Sequence, residues 1–236
     1  MYHYSTYIKD LELKLNADLL KIGDWLKAHK LTLNIKKTKA MVIGSGRKFR
    51  NLISASVKVY DEEIETVQQY THLGVIFTAN MTWTAHIDHL CAKVNKRLGL
   101  LKRIKHLLPR YARVLYYNSL VQPLFDYGDL VWGDKNNCTL MQNLQILQNK
   151  AAKVVLDRPP FSSSTEALKT LGWRDLSQRR YYHRCLYIFK CVNGMTFSDL
   201  DLTRISEIHE HNTRSKNSLR LPRVKRNWGK QRLAYH

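Results

Sequence analysis

The stretch LTLNIKKTKAMVIGS, Leu31 to Ser45, marks the point where the pattern of the chain changes. Before it, from Ile8 to about Lys30, Leu11, Leu15, Leu19, Ile22 and Leu26 recur at helical spacing, with Asp and Lys on much of the opposite side. Within it, Leu31–Ile35 and Ala40–Ile43 read as short strands on either side of a basic turn formed by Lys36, Lys37 and Lys39. After it, Val57–Tyr60 and Ile64–Val67 read as further strands, joined by a hairpin around Asp61 and Glu62 that lacks an Asn-Gly or Asp-Gly turn. YTHLGVIF, Tyr70 to Phe77, reads as another strand; Gly74 inside it marks a bulge or a close backbone approach.

Beyond Thr82 the period becomes helical. Trp83, Ile87, Leu90, Val94, Leu98, Leu101 and Leu108 trace one long apolar stripe, which Pro109 ends or bends. A second helix is expected from about Tyr111 to Val121, with Pro123 as its stop, and then an aromatic-rich connection, FDYGDLVWG. Leu140, Leu144, Leu147, Ala151 and Val154 predict a third helix. Ser164 or Thr165 is placed to cap a short fourth one, and Leu176 to Val192 predicts a fifth. The fold class expected from this order is α+β: a small antiparallel sheet with an N-terminal helix, followed by an all-helical region. Residues 1–82, 83–197 and 198–236 are the expected divisions, the last a basic tail without a clear period.

The charge is the unusual feature. The chain has 236 residues, enough for a real core, and 39 Lys+Arg against 19 Asp+Glu leave a formal +20. A surplus of that size points to a polyanionic partner, most commonly nucleic acid. A membrane partner is not expected, since no apolar run approaches the roughly 20 residues of a spanning helix. Between Asp88 and Asp126 lie Lys93, Lys96, Arg97, Lys102, Arg103, Lys105, Arg110 and Arg113, with no acid. Lys96 and Arg103 fall nearly opposite the leucine stripe, with Lys93 and Arg97 flanking it on one side and Lys102 on the other. Lys105 falls on the stripe, so the helix is expected to twist or fray before it. From Asn212 onward the tail carries cations and no acid, with Trp228 and Tyr235 interleaved, a pattern suited to unpaired bases and equally to a disordered end.

Other chemistry is thinly represented. The 4 cysteines, Cys91, Cys138, Cys185 and Cys191, are scattered and read as structural thiols. His86 and His89 share a helical face that Cys91 leaves, which argues against zinc there. Asp61, Glu62, Glu63 and Glu65 form the densest acidic group, and adjacent strand residues face opposite sides, so it reads as a solvated turn.

WLKAHKLTLNIKKTKAMVIGS, then YTHLGVIFTANMTWTAHIDHL, then LLPRYARVLYYNSLVQPLFDYGDLVWG together resemble reverse transcriptases of non-LTR retrotransposons, in particular the jockey and CR1-like groups. LQNKAAKVVL and TRSKNSLRLP resemble a later segment of the same family. The resemblance implies that LNIKKTK is the polymerase D motif at the palm edge, with Lys37 as the lysine that protonates departing pyrophosphate. The competing reading is that Lys36, Lys37 and Lys39 hold phosphate or form a polar turn. It also implies that Leu73 and Gly74 belong to the primer grip and that residues 83–197 include the thumb. In the intact family two Mg2+ ions are held by a [FY]xDD turn; the sequence contains no Asp-Asp. The chain is therefore expected to be a fragment of an RNA-directed DNA polymerase that binds RNA/DNA template-primer without polymerising and carries no cofactor itself. The missing N-terminal part of the polymerase is a candidate partner. A free-standing basic nucleic-acid-binding protein is the alternative, and a protein-interaction module built on the leucine stripes a third. An intracellular location is expected, in nucleus or cytoplasm.

Overall fold

A computed structural model describes residues 1–5, 7–44, 56–60, 62–133, 137–196, 203–208, 211 and 214–220. The basic loop that follows Gly44, the acid Asp61, and most of the tail from Asn212 lie outside the described residues. The chain separates into two compact units, Met1–His86 and Ile87–His236.

The first unit opens with helix α1, Ile8–Ala28. Its end is a reciprocal pair of backbone bonds, Lys30 N–H to Lys27 O at 3.0 Å and Leu31 N–H to Leu26 O at 2.8 Å, closed by Lys30 in the left-handed region at φ 56°. The strand expected at Leu31–Ile35 is instead irregular and runs into a 3-10 turn, Ile35–Lys37. Asn34 is the cause: its Oδ1 accepts from Lys37 N–H at 3.1 Å, so a side chain takes the backbone donor a strand would use. Ala40–Ile43 is likewise reduced to one parallel bridge, Ala40 to Thr66.

Strands β1 (Val57–Val59) and β2 (Glu62–Ile64) pair antiparallel with Val57 opposite Ile64. Leu19 of α1 packs with Val57, Val59 and Ile64 in one small core cluster of the unit. Gly23 of α1 is a glycine for reasons of space, because a Cβ there would lie 2.7 Å from the Tyr60 hydroxyl. Strands β3 (Gln69–His72) and β4 (Val75–Thr78) form a second two-stranded sheet. The single strand read over Tyr70–Phe77 is thus a hairpin. Gly74 is neither bulge nor strand interior: Leu73 (φ 47°) and Gly74 (φ 80°) are the two turn residues between His72 and Val75. Positive φ at both positions is what a tight hairpin with right-twisted strands requires.

Helix α2, Thr84–Ile104, begins in the first unit and continues in the second. In the second unit its Ile87, Leu90, Val94, Leu98 and Leu101 are buried, so the leucine stripe is core. The helix stops before Lys105, which starts a 3-10 turn, Lys105–Leu107. Helix α3 (Arg110–Tyr116) then passes into a π turn, Tyr117–Val121, and on into α4 (Gln122–Asp126). Pro123 is therefore not a stop. The widened turn ahead of it accommodates the absent N–H and the ring, and the helical path continues. The connection FDYGDLVWG contains a short helix α5, Asp129–Trp132, entered through Gly128 at φ 66°.

Helix α6, Cys138–Val155, buries Leu144, Leu147, Ala151 and Val154, so its stripe too is core rather than a docking face. Ala151, Ala152 and Ala167 are all fully buried, and these small side chains let α7 (Ser164–Leu171) lie close against α6. The cap of α7 is Ser163, one residue before the expected pair, and accepts from Glu166 N–H at 3.3 Å. Helix α8, Leu176–Val192, has the predicted bounds, with Asp175 Oδ1 accepting from Gln178 N–H at 2.8 Å. The architecture is α+β. Among the described residues, no helix is long and apolar enough to cross a membrane.

Candidate nucleic-acid interface

The lysine turn is held by its neighbours while two of its side chains stay in solvent. Thr38 Oγ1 donates to Asn34 O at 2.9 Å, completing the fold of the turn. Ala40 N–H donates to Glu65 O at 3.0 Å and Val67 N–H to Ala40 O at 2.8 Å, which ties the turn to the segment after β2. Lys36 and Lys37 are exposed. Lys39 is not available in the same way, because its Nζ donates to Glu65 Oε2. Leu73 and Gly74 sit at the tip of the β3–β4 hairpin, with Leu73 75% exposed. An exposed leucine at positive φ is costly by about 1–2 kcal/mol relative to a residue that accepts the conformation. Leu73→Asn is expected to raise stability to urea by about 0.5–1 kcal/mol. An unchanged or lowered midpoint would show that the leucine side chain makes compensating contacts.

The α2 face sorts the cations named from sequence. Lys93, Lys96, Lys102 and Arg103 are exposed. Arg97 instead turns onto the protein and donates through Nη1 to Leu120 O, while its own carbonyl accepts from Tyr116 Oη–H at 3.0 Å. Lys105 pairs with Asp157 Oδ1 at 2.5 Å, and this contact pulls the Asp157 carboxyl below its ordinary value. Among the described residues none of these four has an internal hydrogen bond or ion pair, so they can meet phosphate.

The second unit also holds a polar lattice that the sequence reading did not see. Asp126 accepts from Arg179 Nε at 3.0 Å and Arg179 Nη2 at 2.6 Å, and from Gln122 Nε2 at 2.9 Å. Tyr117 Oη–H donates to Gln122 Oε1 at 2.6 Å, and Tyr117 stacks on Trp173 with centroids 3.8 Å apart. Fully buried Gln148 donates to Arg174 O at 3.0 Å. His183 Nδ1 meets Asp129 Oδ2 at 2.6 Å. The lattice links α3 through α5 to α6 and α8, and it is what makes FDYGDLVWG structured. The spacing of Arg179 and His183, four apart on α8, was its one local signal, since that pair shares a helix face; Asp126 ends α4 and Asp129 begins α5, on either side of Gly128.

Asp126, Asp129 and His183 place ligand atoms within 4.8 Å of one another, a geometry that a metal ion could use. Both Asp126 oxygens and Asp129 Oδ2 are already engaged: Arg179 forks onto Asp126 and His183 meets Asp129, so the arrangement is a hydrogen-bonded polar network. His86, one of the histidines considered for zinc, is buried, and its Nδ1 accepts from Ile76 N–H at 3.3 Å, a structural role.

Burial pushes the Asp129 carboxyl above its ordinary value, and His183 offsets only part of that. The folded protein therefore holds this proton to higher pH than the unfolded chain does. The stability it contributes is fully present below about pH 4 and is lost as pH rises through the elevated value. Relative to Asp129→Asn, the wild type is expected to lose stability between about pH 4 and neutrality in urea titrations. A difference that stays flat with pH would contradict this.

Over 181 residues the chain is similar to a probable RNA-directed DNA polymerase from transposon BS of Drosophila melanogaster, with 23% identity. The match covers 73% of this chain and 19% of that protein. It supports a relationship to transposon reverse transcriptases. No protein-family model matches the chain, and no solved structure matches it significantly.

Proposed function

We propose that this chain is a segment of a non-LTR retrotransposon reverse transcriptase, of jockey or CR1-like type, that holds template-primer nucleic acid. The similarity to the transposon polymerase over 181 residues carries the reading. The exposed Lys93, Lys96, Lys102 and Arg103 supply the chemistry, since sequence-independent binding of duplex is phosphate contact by cations. In this reading the 3-10 turn is the palm-edge motif, with Lys37 facing polyphosphate, and the Leu73–Gly74 tip supports the primer end. A lysine is suited to that place because it is cationic, flexible and able to give up a proton.

The described residues do not fit the Mg2+ pair of the family. Such a pair needs converging carboxylates. Glu62 and Glu63 are exposed neighbours on β2, where successive side chains face opposite ways, and Glu65 is paired with Lys39. Asp126 and Asp129 are occupied as described above. The chain by itself is therefore proposed to bind without adding nucleotides.

The test is fluorescence anisotropy with a labelled RNA/DNA template-primer, with a primer-extension assay in Mg2+ on the same sample. Binding is expected that weakens steeply from 50 to 200 mM salt, with no extension product. Affinity independent of salt would overturn the binding reading, and any extension would overturn the inactive one.

A further inference from the structure

A cavity of about 720 Å3 opens between α6, α7 and the start of α8. Cavities of roughly 300–1,000 Å3 take small organic ligands. Gln142 from α6 and Ser164 and Thr165 from α7 offer neutral hydrogen-bonding groups to it, and Trp173 gives it an aromatic wall. Lys169 stands at the exposed rim.

Arg180 is the group that needs explaining. It lines the cavity, keeps 6% of its exposure, and its Nη1 is buried with no hydrogen-bond partner among the described residues. Its side chain is wedged against Gly133, where an added Cβ would come 2.7 Å from Arg180 Cδ. Among the described residues, the charged groups that act on it are Arg184, Asp129 and Asp175. Asp129 gives Oδ2 to His183, and Asp175 gives Oδ1 to the Gln178 backbone. Arg184 adds a second positive charge on the same cavity wall and donates to Gly133 O. Burial and Arg184 together depress the Arg180 guanidinium, yet a guanidinium does not release its proton in a protein. A buried charge without a bonded counter-charge is strongly unfavourable, and among the described residues no carboxylate bonds Arg180, so an anionic ligand would meet that need.

We propose that this cavity binds a small phosphate ester of nucleotide size, its phosphate on Arg180 with Lys169 at the entrance, and its body along Trp173 and the hydroxyl and amide side chains. Stacking of one Trp173 face on Tyr117 holds the indole in place as a wall of the site. The site is independent of the α2 cations and of the polymerase relationship.

The probe is adenosine 5′-monophosphate, titrated calorimetrically into the full chain at 150 mM salt, with adenosine and inorganic phosphate alongside. The host is the variant with Lys93, Lys96, Lys102 and Arg103 changed to Gln, so that the α2 face does not contribute. One equivalent of the nucleotide is expected to bind at least tenfold more tightly than adenosine. Arg180→Met is expected to fold and to lose tenfold or more of that affinity, and Lys169→Glu to lose several-fold. Should Arg180→Met fail to fold, the Lys169→Glu loss decides. Equal binding of adenosine and its monophosphate, unaltered affinity in either folded variant, or no heat with the monophosphate at millimolar concentration would overturn the proposal.

Discussion

The variant with Lys93, Lys96, Lys102 and Arg103 all changed to Gln is expected to lose most of the affinity for template-primer and most of its salt dependence. These four are exposed on α2, and the chain between Asp88 and Asp126 contains no acid to offset them. Each phosphate neutralised adds about 0.9 to the slope of log affinity against log salt, so four removed contacts lower it by about 3–4. Across 50 to 200 mM salt that is on the order of a hundredfold in affinity. Glutamine keeps the helical stem, so circular dichroism and the urea midpoint are expected to stay near wild type. Arg97→Gln is the contrast. Arg97 donates to the Leu120 carbonyl, so its loss is expected to cost stability with little change in the salt slope. A quadruple variant with undiminished slope would move the binding surface elsewhere in the chain.

Trp132→Ala is expected to cost about 3–5 kcal/mol in urea denaturation, the range of aromatic-to-alanine changes in close-packed cores. Trp132 is fully buried at the end of α5, and its Nε1–H donates to Tyr127 O at 2.9 Å. That bond closes the corner that carries Asp126 and Asp129 towards Arg179 and His183. Truncation leaves a cavity, removes the hydrogen bond to Tyr127 O and loosens the anchor for Asp126 and Asp129. Trp132→Phe retains most of the volume but not the donor, and is expected to cost about 1–3 kcal/mol, chiefly for the lost hydrogen bond. Equal losses for the two variants would show that the hydrogen bond, not the packing, holds the corner.

The helices were legible because their signals are local. Helix α8 follows its predicted bounds, with Asp175 as cap and a period of apolar residues behind it. The sheet was misread for reasons equally local but weaker in the sequence. Nothing in the residue types of YTHLGVIF states that Leu73 takes a positive φ, yet that angle converts one strand into a hairpin. Asn34 reads as one polar residue among strand formers until its side chain is seen to capture Lys37 N–H. Pro123 carries the usual meaning of a helix end, and a π turn cancels it.

Sequence alone determined the large positive charge, its acid-free run from Lys93 to Arg113, the order of helix, strands and helices, and the likeness to transposon polymerases. These are properties of composition, period and motif order. Only the tertiary structure decided how the cations sort: Arg97 and Lys105 bond to Leu120 and Asp157, while Lys93, Lys96, Lys102 and Arg103 are exposed and have no partner among the described residues. It also decided that Asp126 belongs to Arg179 and Asp129 to His183, and that Arg180 is buried facing a cavity. Those partners lie more than fifty positions apart in the chain. Their meeting depends on how α5 and α8 pack, and burial is a property of the packed ensemble of helices that no local pattern of residues contains.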